Sequence, residues 1–441
     1  MAKRLIHRYP GRIILATLLL TILIGTLLLK LPFCQAIPMG WFDLFFTATS
    51  ATTVTGLLTV PVTNFTPFGH LVILILIQIG GLGLITMTLF FLSLFIDIGL
   101  TTKLMATEIL EVESIKDIRH IVKFIVTTTL VCELTGAIIT YLTIHNQYHF
   151  KEALFKSIFH AVSSFCNAGI TLFPNGMADF VYNPIMLITT SLLAFLGGLG
   201  FLVIYEIIRY FFYRKYPRKL NLHSRVVLWT SFFIAIISFI LFWILEHNNT
   251  LSTMSLPYQW LNAFFNSMCM RSTGYLSVNF NNLQLATIFL IMCVSFIGSS
   301  PGSTGSGIRT TTFAIFLATA RAIITGRTFV HIQNRKIKTI QVFRATTIIS
   351  IALAWIALVT FLLLITEKNF SFLAIFFETV ASFTDLGITS GITPLLTTIG
   401  KMFIMTTMII GRIGSLTMIL AFAKSPDEKD FSYPEERVML S

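Results

Sequence analysis

Eight apolar stretches dominate the chain, near positions 13–32, 69–97, 121–145, 183–213, 226–246, 284–323, 342–366 and 395–423. A helix rises about 1.5 Å per residue, so roughly 20 residues cross the ~30 Å hydrocarbon layer of a bilayer. Each stretch is long enough to do so. Of 441 residues, 55% are apolar and 11% charged, and mean hydropathy is +0.83. A soluble domain spends about a quarter of its residues on charge. That excludes a soluble globular enzyme, a disordered chain and a fibrous repeat. The opening MAKRLIHRYPGR has the basic character of a signal peptide. The apolar run behind it is too long for one and lacks a small-residue cleavage site, so it reads as a span. The five cysteines, at 34, 132, 166, 269 and 293, show neither metal spacing nor a disulfide framework.

The net charge of +12 is topological. Of the 31 Lys and Arg residues, 23 fall on one side: before the first span, between spans two and three, four and five, and six and seven, and in the tail. The positive-inside bias then puts both termini in the cytoplasm and leaves no basic surface to assign to nucleic acid.

The segments between spans one and two, three and four, five and six, and seven and eight share a texture: a short helical run, a turn containing Gly, then a polar extended stretch. Aligning TVTGL, CNAGI, RSTGY and TDLGI sets Gly56, Gly169, Gly274 and Gly387 in register, 113, 105 and 113 residues apart. Ten residues before each stands Phe46, Phe159, Phe264 or Phe377, and five before each a small residue, Ala51, Ser164, Cys269 or Ser382. One after each is Leu57, Ile170, Tyr275 or Ile388. A second glycine step follows 24 residues after the first, third and fourth (Gly80, Gly298, Gly411) and 28 after the second (Gly197), with Gly83, Gly200, Pro301 and Gly414 three further on. We read an all-α membrane protein of four helix–pore helix–helix repeats, over 1–110, 111–222, 223–338 and 339–441.

The short segments cannot span, and irregular backbone at membrane depth survives only inside protein or beside water. Four copies around a pseudo-fourfold axis satisfy this together. Each short helix then directs its carbonyl end, roughly −0.5 charge, at the axis. The following turn presents C=O groups that can replace a cation's hydration shell. A positive φ, which costs Gly little, turns successive carbonyls to one side. One such Gly alone is an ordinary helix cap; four in register make an ion filter. The pairs Gly80/Gly83 and Gly197/Gly200 read as close helix packing.

The motifs ATTVTGL, FHAVSSFCNAGITLFPNG, RSTGYLSVNF and SGITPLLTTIGKMFIMTTMIIGRIGSLT resemble the Trk/Ktr/HKT potassium transporter superfamily, and its bacterial Ktr membrane subunits above all. The resemblance runs over nearly the whole chain. It implies a fold resembling a potassium channel on one chain, paired as a homodimer in the cell membrane, with a cytosolic ring of nucleotide-binding regulatory subunits as partner and no organic cofactor. The candidate filter is Thr53, Val54, Thr55 and Gly56; Cys166, Asn167, Ala168 and Gly169; Arg271, Ser272, Thr273 and Gly274; and Thr384, Asp385, Leu386 and Gly387. In the family, Gly in all four segments goes with K+, so K+ is the expected cargo, with Na+ as a candidate coupling ion.

Residues 298–312 read GSSPGSTGSGIRTTT inside an apolar stretch. Pro301 lacks a backbone donor, and each Gly costs roughly 1 kcal/mol in a helix, so the helix must break. The expectation is an intramembrane gating loop below the filter, carried by Gly298, Gly302, Ser303, Thr304, Gly305, Ser306 and Gly307; a packing kink is the plainer alternative. The family's third repeat carries such a loop. Arg309 and Arg412 lie at membrane depth, where ionisable residues are costly and usually functional. Arg412 is read as holding the loop or repelling cations, and Arg309 as functional or snorkelling to the surface.

Relatives usually carry an uncharged residue where Asp385 stands. Its carboxylate would concentrate cations at the filter mouth or, as we favour, pair with Arg271. Glu133 reads as a bundle-facing residue bonded to hydroxyls rather than an ion ligand; Glu206 lies near the inner end of the fourth span; His160 reads as structural. Segment 101–123 and parts of 209–225 and 324–344 are expected as cytoplasmic amphipathic helices. No paired His, Gly-x-Ser-x-Gly or His-Glu-x-x-His motif supports an intramembrane enzyme. Parallel repeats disfavour a carrier built on inverted ones.

Overall fold

The computed structural model describes residues 10–83, 118–212 and 219–414. The first repeat holds α1 (Pro10–Leu29), α2 (Trp41–Thr53) and α3 (Pro67–Leu82). The second holds α4 (Ile118–Ile144), α5 (Phe150–Cys166), α6 (Pro184–Leu199) and α7 (Phe201–Phe212). The third has α8 (Leu222–Glu246), α9 (Leu256–Cys269), α10 (Leu285–Ile297) and α11 (Thr310–Ile324). After a small antiparallel ladder, β1 (His331–Ile332) with β2 (Arg335–Lys336), the fourth has α12 (Thr339–Thr366), α13 (Phe372–Thr384) and α14 (Thr398–Ile413).

Residues 121–144 of α4, all of α8 and all of α12 are long and apolar enough to cross a bilayer by themselves, and α6 with α7 forms a fourth span bent by 99°. The expected second and eighth spans run on into residues outside the described ones, as do segment 101–117, part of 209–225 and the tail. On α8, Trp229, Phe232, Phe233, Ile237 and Ile240 are exposed, whereas Ile234, Ser238 and Phe242 face inward. Such a wide apolar exterior marks an interaction surface, and here it fits acyl chains.

The third helix of the first, second and fourth repeats starts at a side-chain cap. Thr66 and Pro67 open α3, with Thr66 Oγ1 accepting from Gly69 N at 3.3 Å. Asn183 and Pro184 open α6, with Met186 N donating at 3.1 Å. Thr397 opens α14, accepting from Gly400 N at 3.1 Å. Side-chain acceptors there satisfy otherwise orphaned amides, and Pro fits the first turn because it has no amide to lose. In repeats three and four a glutamate ending the preceding long helix adds negative charge at that cap. Glu246 accepts from Gln284 N at 3.0 Å and Glu367 from Thr397 N at 3.1 Å; carboxylates at helix N-termini are favourable by roughly 0.3–1 kcal/mol. Glu206 does the same for α8, accepting from Asn221 N at 2.6 Å.

The short helices α2, α5, α9 and α13 lie inside the molecule. The polar residues of their C-terminal halves are buried, yet many hydroxyls bond back to the carbonyl four residues earlier, as Thr47 does to Asp43, Thr52 to Ala48 and Thr53 to Thr49, at 2.7–2.8 Å. Phe46, Phe159 and Phe377 are buried in three different core clusters. The third repeat departs from the expected register. Phe264 is only half-buried, and Phe265 takes the inner place against Phe173, Phe180, Met186 and Leu187. The cause lies at the helix end. In the other repeats the amide just before the filter glycine bonds five residues back, Thr55 to Ser50, Ala168 to Ser163 and Leu386 to Ala381; in the third it is Gly274 itself that does so, to Cys269. That helix is therefore one residue out of phase.

Two expectations are corrected. Of the stretch 324–344, residues 339–344 are helical, but the part before them carries the two-stranded ladder, turned by Gln333 (φ 47°) and Asn334 (φ 61°). Two successive left-handed residues are what a two-residue hairpin needs. The second glycine steps also do two jobs rather than one. A Cβ on Gly80, Gly197 or Gly411 would run into the carbonyl of Thr52, Phe165 or Phe383, so these glycines let the third helix lie against the end of a pore helix. Gly83, Gly200 and Gly414 instead end their helices in nearly one conformation, φ 81°, 93° and 92° with ψ 130–132°.

Replacing Gly197 with Val should therefore force α6 off α5. Overpacking of this kind costs about 1–3 kcal/mol. Thermal unfolding of the detergent-solubilised protein, followed by tryptophan fluorescence, should show a lowered midpoint; an unshifted midpoint would show that this contact does not hold the repeat together.

Candidate ion pathway

The four aligned glycines meet. A Cβ built on Gly56 would strike the carbonyl of Ala168, one on Gly169 that of Thr273, one on Gly274 that of Leu386, and one on Gly387 would lie 2.8 Å from that of Thr55. Each glycine thus faces the residue immediately before the glycine of the next repeat, and the fourth closes onto the first. The result is a ring of four backbone oxygens, from Thr55, Ala168, Thr273 and Leu386. Positive φ values of 91°, 67°, 77° and 77° at the glycines set this orientation. In every segment the three residues before the glycine are buried and the glycine alone keeps some exposure. A ring of carbonyl oxygens is a donor set for a dehydrated monovalent cation. Among the described residues no group of three His, Cys, Asp or Glu could hold a metal ion instead.

One step further in lie Val54, Asn167, Ser272 and Asp385, three of them left-handed (φ 62°, 63° and 52° for Val54, Asn167 and Asp385) as they cap their pore helices. Three of these four meet three consecutive residues of the loop between α10 and α11. Asn167 Nδ2 donates to Thr304 Oγ1 at 2.7 Å. A Cβ on Gly305 would run into Ser272 Oγ, and Ser306 stands beside the Asp385 carboxylate. Residues 304–306 are buried, while Gly302 at the loop's tip is exposed.

The loop is tied to every repeat. Ser300 N bonds Gly198 O at 3.0 Å, Thr304 N bonds Gly197 O at 3.1 Å, and Phe201 N returns a bond to Gly302 O at 2.9 Å. Arg271 donates from Nε to Gly298 O at 2.8 Å. Arg412 reaches Thr304 O at 2.5 Å with one guanidinium nitrogen and Gly80 O of the first repeat with the other. Arg309 points inward, to Ser300 O at 3.3 Å and to Gly305 O, rather than snorkelling to the surface. The break spans Gly298–Arg309; Thr310 and the two threonines after it already belong to α11, so the loop is shorter than the expected 298–312.

The pairing of Arg271 with Asp385 does not occur. Arg271 spends its donors on Gly298, Ser300 and Gly198, whereas Asp385 Oδ1 accepts from Thr55 Oγ1 at 2.5 Å. Glu133 faces the bundle, but its partners are an amide and a thiol rather than hydroxyls: Gln78 Nε2 at 3.2 Å and Cys166 Sγ at 3.8 Å. His160 is buried with Nε2 on Thr190 Oγ1 at 2.8 Å, a packing role.

Several braces behind the ring carry no short-range sequence signal. Tyr275 donates to Ser163 Oγ at 2.9 Å and to Ile170 O at 3.0 Å, joining the third segment to the second. Asn266 clasps Ser277 through both amide atoms, at 2.8 and 3.0 Å. Glu378, buried in α13, accepts from Thr389, from Thr393, and from both the amide and hydroxyl of Ser390, at 2.9–3.1 Å where distances are ordinary.

A family described as TrkH, cation transport protein, matches residues 12–433. Ktr system potassium uptake protein B of Bacillus subtilis is 35% identical over 433 residues, 97% of this chain and 96% of that one. Potassium/sodium uptake protein NtpJ of Enterococcus hirae is 33% identical over 451 residues, covering 100% and 99%. The solved structure of the potassium transporter TrkH from Vibrio parahaemolyticus superposes with a TM-score of 0.72 over 92% of this chain and 84% of that one, at 18% identity, which speaks to the fold.

Removing the hydroxyl in Tyr275→Phe should loosen the third segment. A lost hydrogen bond of this kind costs roughly 1 kcal/mol, and deuterium exchange over residues 270–278 should rise several-fold, as about 1 kcal/mol implies. Unchanged exchange would show that the ring is held without this brace.

Proposed function

Because the chain belongs to the TrkH family of cation transport proteins, we propose that it is the membrane subunit of a potassium uptake system, passing K+ through the ring of four carbonyls. A transporter family, multi-pass and helical, leaves no place for an enzyme. The closed cycle of glycine-to-carbonyl contacts carries the reading. Four oxygens at one level can replace water around a monovalent cation, while the negative ends of four short helices lower its energy there. Filter roles go to the segments ending at Gly56, Gly169, Gly274 and Gly387, one from each of the repeats 1–110, 111–222, 223–338 and 339–441. The gate is the loop Gly298–Gly307 with Arg309 and Arg412, which obstructs the inner end while its ties hold.

The finer points rest on the relatives. The word "system" in the name of the Bacillus subtilis protein supports a second component, which we read as a cytosolic nucleotide-binding ring acting on the loop from the cytoplasmic side. The Enterococcus hirae protein is named for both potassium and sodium, which supports Na+ as a coupling ion. The charge bias supports a cell-membrane orientation with both termini in the cytoplasm, and the family resemblance supports a homodimer with one pathway per chain.

Expression in cells lacking potassium uptake should restore growth at low external K+, and deletion of Gly302–Gly307 should raise K+ flux and remove its regulation. A flux indifferent to K+ would overturn the cargo, and a deletion with unaltered flux would overturn the gate.

A further inference from the structure

Asp385 and Asn167 occupy equivalent places and make equivalent bonds. Thr273 Oγ1 donates to Asn167 Oδ1, from the third repeat to the second, and Thr55 Oγ1 donates to Asp385 Oδ1 at 2.5 Å, from the first repeat to the fourth. A neutral amide oxygen suffices for this bracket in one pair, so the bracket does not explain a charge in the other. Burying a carboxylate is expensive, and one that persists needs compensation or a use. Asp385 is 2% exposed; Thr55 and Ser306 lie against its carboxylate, yet its Oδ2 has no hydrogen bond of ordinary geometry. The Ser272 hydroxyl, at the same level of the ring, is likewise buried without a partner. Two buried polar atoms without an ordinary hydrogen bond thus belong to residues at equivalent places, two before Gly274 and two before Gly387. Arg412 is within electrostatic reach of Asp385 yet turns its donors to Thr304 O and Gly80 O.

Resting on the potassium reading above, we propose that Asp385 is a cation-binding residue at the inner end of the filter. An ion leaving the carbonyl ring is held between this carboxylate and the hydroxyls of Ser272 and Ser306. Its charge also cancels the pull of Asp385 on Arg412, the residue that ties down the loop, so arrival of an ion weakens the closure it meets. The carboxylate acts at the loop side of the filter, not at its outer mouth.

The test uses Asp385→Asn, which keeps an oxygen for Thr55 and removes the charge. Uptake measured against external K+ should show the apparent KM raised about tenfold, a modest part of what a unit charge at contact distance can supply. Titration of the purified full-length protein with K+, read as thermal stabilisation, should show its midpoint shifted by the same factor. Equal KM and equal stabilisation in Asp385→Asn and wild type would overturn the proposal and leave Asp385 as a bracket for Thr55. Wild-type stabilisation by Na+ alone, lost in Asp385→Asn, would uphold the carboxylate site while overturning potassium as cargo. Wild type stabilised by no monovalent ion would overturn both.

Discussion

Each repeat's glycine lies against the carbonyl before the next repeat's glycine, and this interlock runs through all four until it closes. Backbone touches backbone there, so no side chain can mediate or relax the contact. The consequence spreads outward. Glycine is required twice over, by its positive φ and by the absence of room for a Cβ. The turns after the short helices must reach one depth and be pinned from behind, which Tyr275, Asn266 and Glu378 do with side-chain bonds. The third helices must approach closely enough to pack on the pore-helix ends, which Gly80, Gly197 and Gly411 permit.

The third repeat departs from its siblings at each level, and the departures belong together. Its pore helix ends earlier and out of phase, and its third helix is interrupted from Gly298 to Arg309. Where Gly83, Gly200 and Gly414 bend their chains, the corresponding conformation falls to Arg309, at φ 79° and ψ 139°. A non-glycine residue held there costs of order 1–3 kcal/mol. The bonds of the Arg309 guanidinium to Ser300 O and Gly305 O offset part of that cost only while the loop stays folded. The loop is thus a strained insertion held by three arginines.

Much of this was legible in the chain itself, because backbone geometry dictates residue type at few positions and dictates it strictly. Four glycines that must adopt positive φ and must admit a neighbouring carbonyl leave a regular spacing in the chain. Pro301 among glycines announced the break for the same reason. The partners of Arg271, Asp385 and Arg412 were not legible: their bonds join residues as far as 332 positions apart and leave no periodic trace. The phase shift at Phe264 leaves no mark in the sequence, since Phe265 beside it is equally apolar. In sequence Gly83 and Gly200 look like the packing residues Gly80 and Gly197 three before them, although the earlier glycine of each pair lets helices touch and the later one turns the chain. Glu378 gave no signal at all, since a glutamate in a short helix gains meaning only from the hydroxyls of Thr389, Ser390 and Thr393 folded against it.

Passage of potassium through this protein requires a monovalent cation sitting among the oxygens of Thr55, Ala168, Thr273 and Leu386. Anomalous diffraction from crystals grown with thallium in place of potassium locates such an ion directly. A strong peak on the axis at the level of those four carbonyls is the expected result. A chain whose only thallium peaks lie away from that ring, or that shows none, would contradict it.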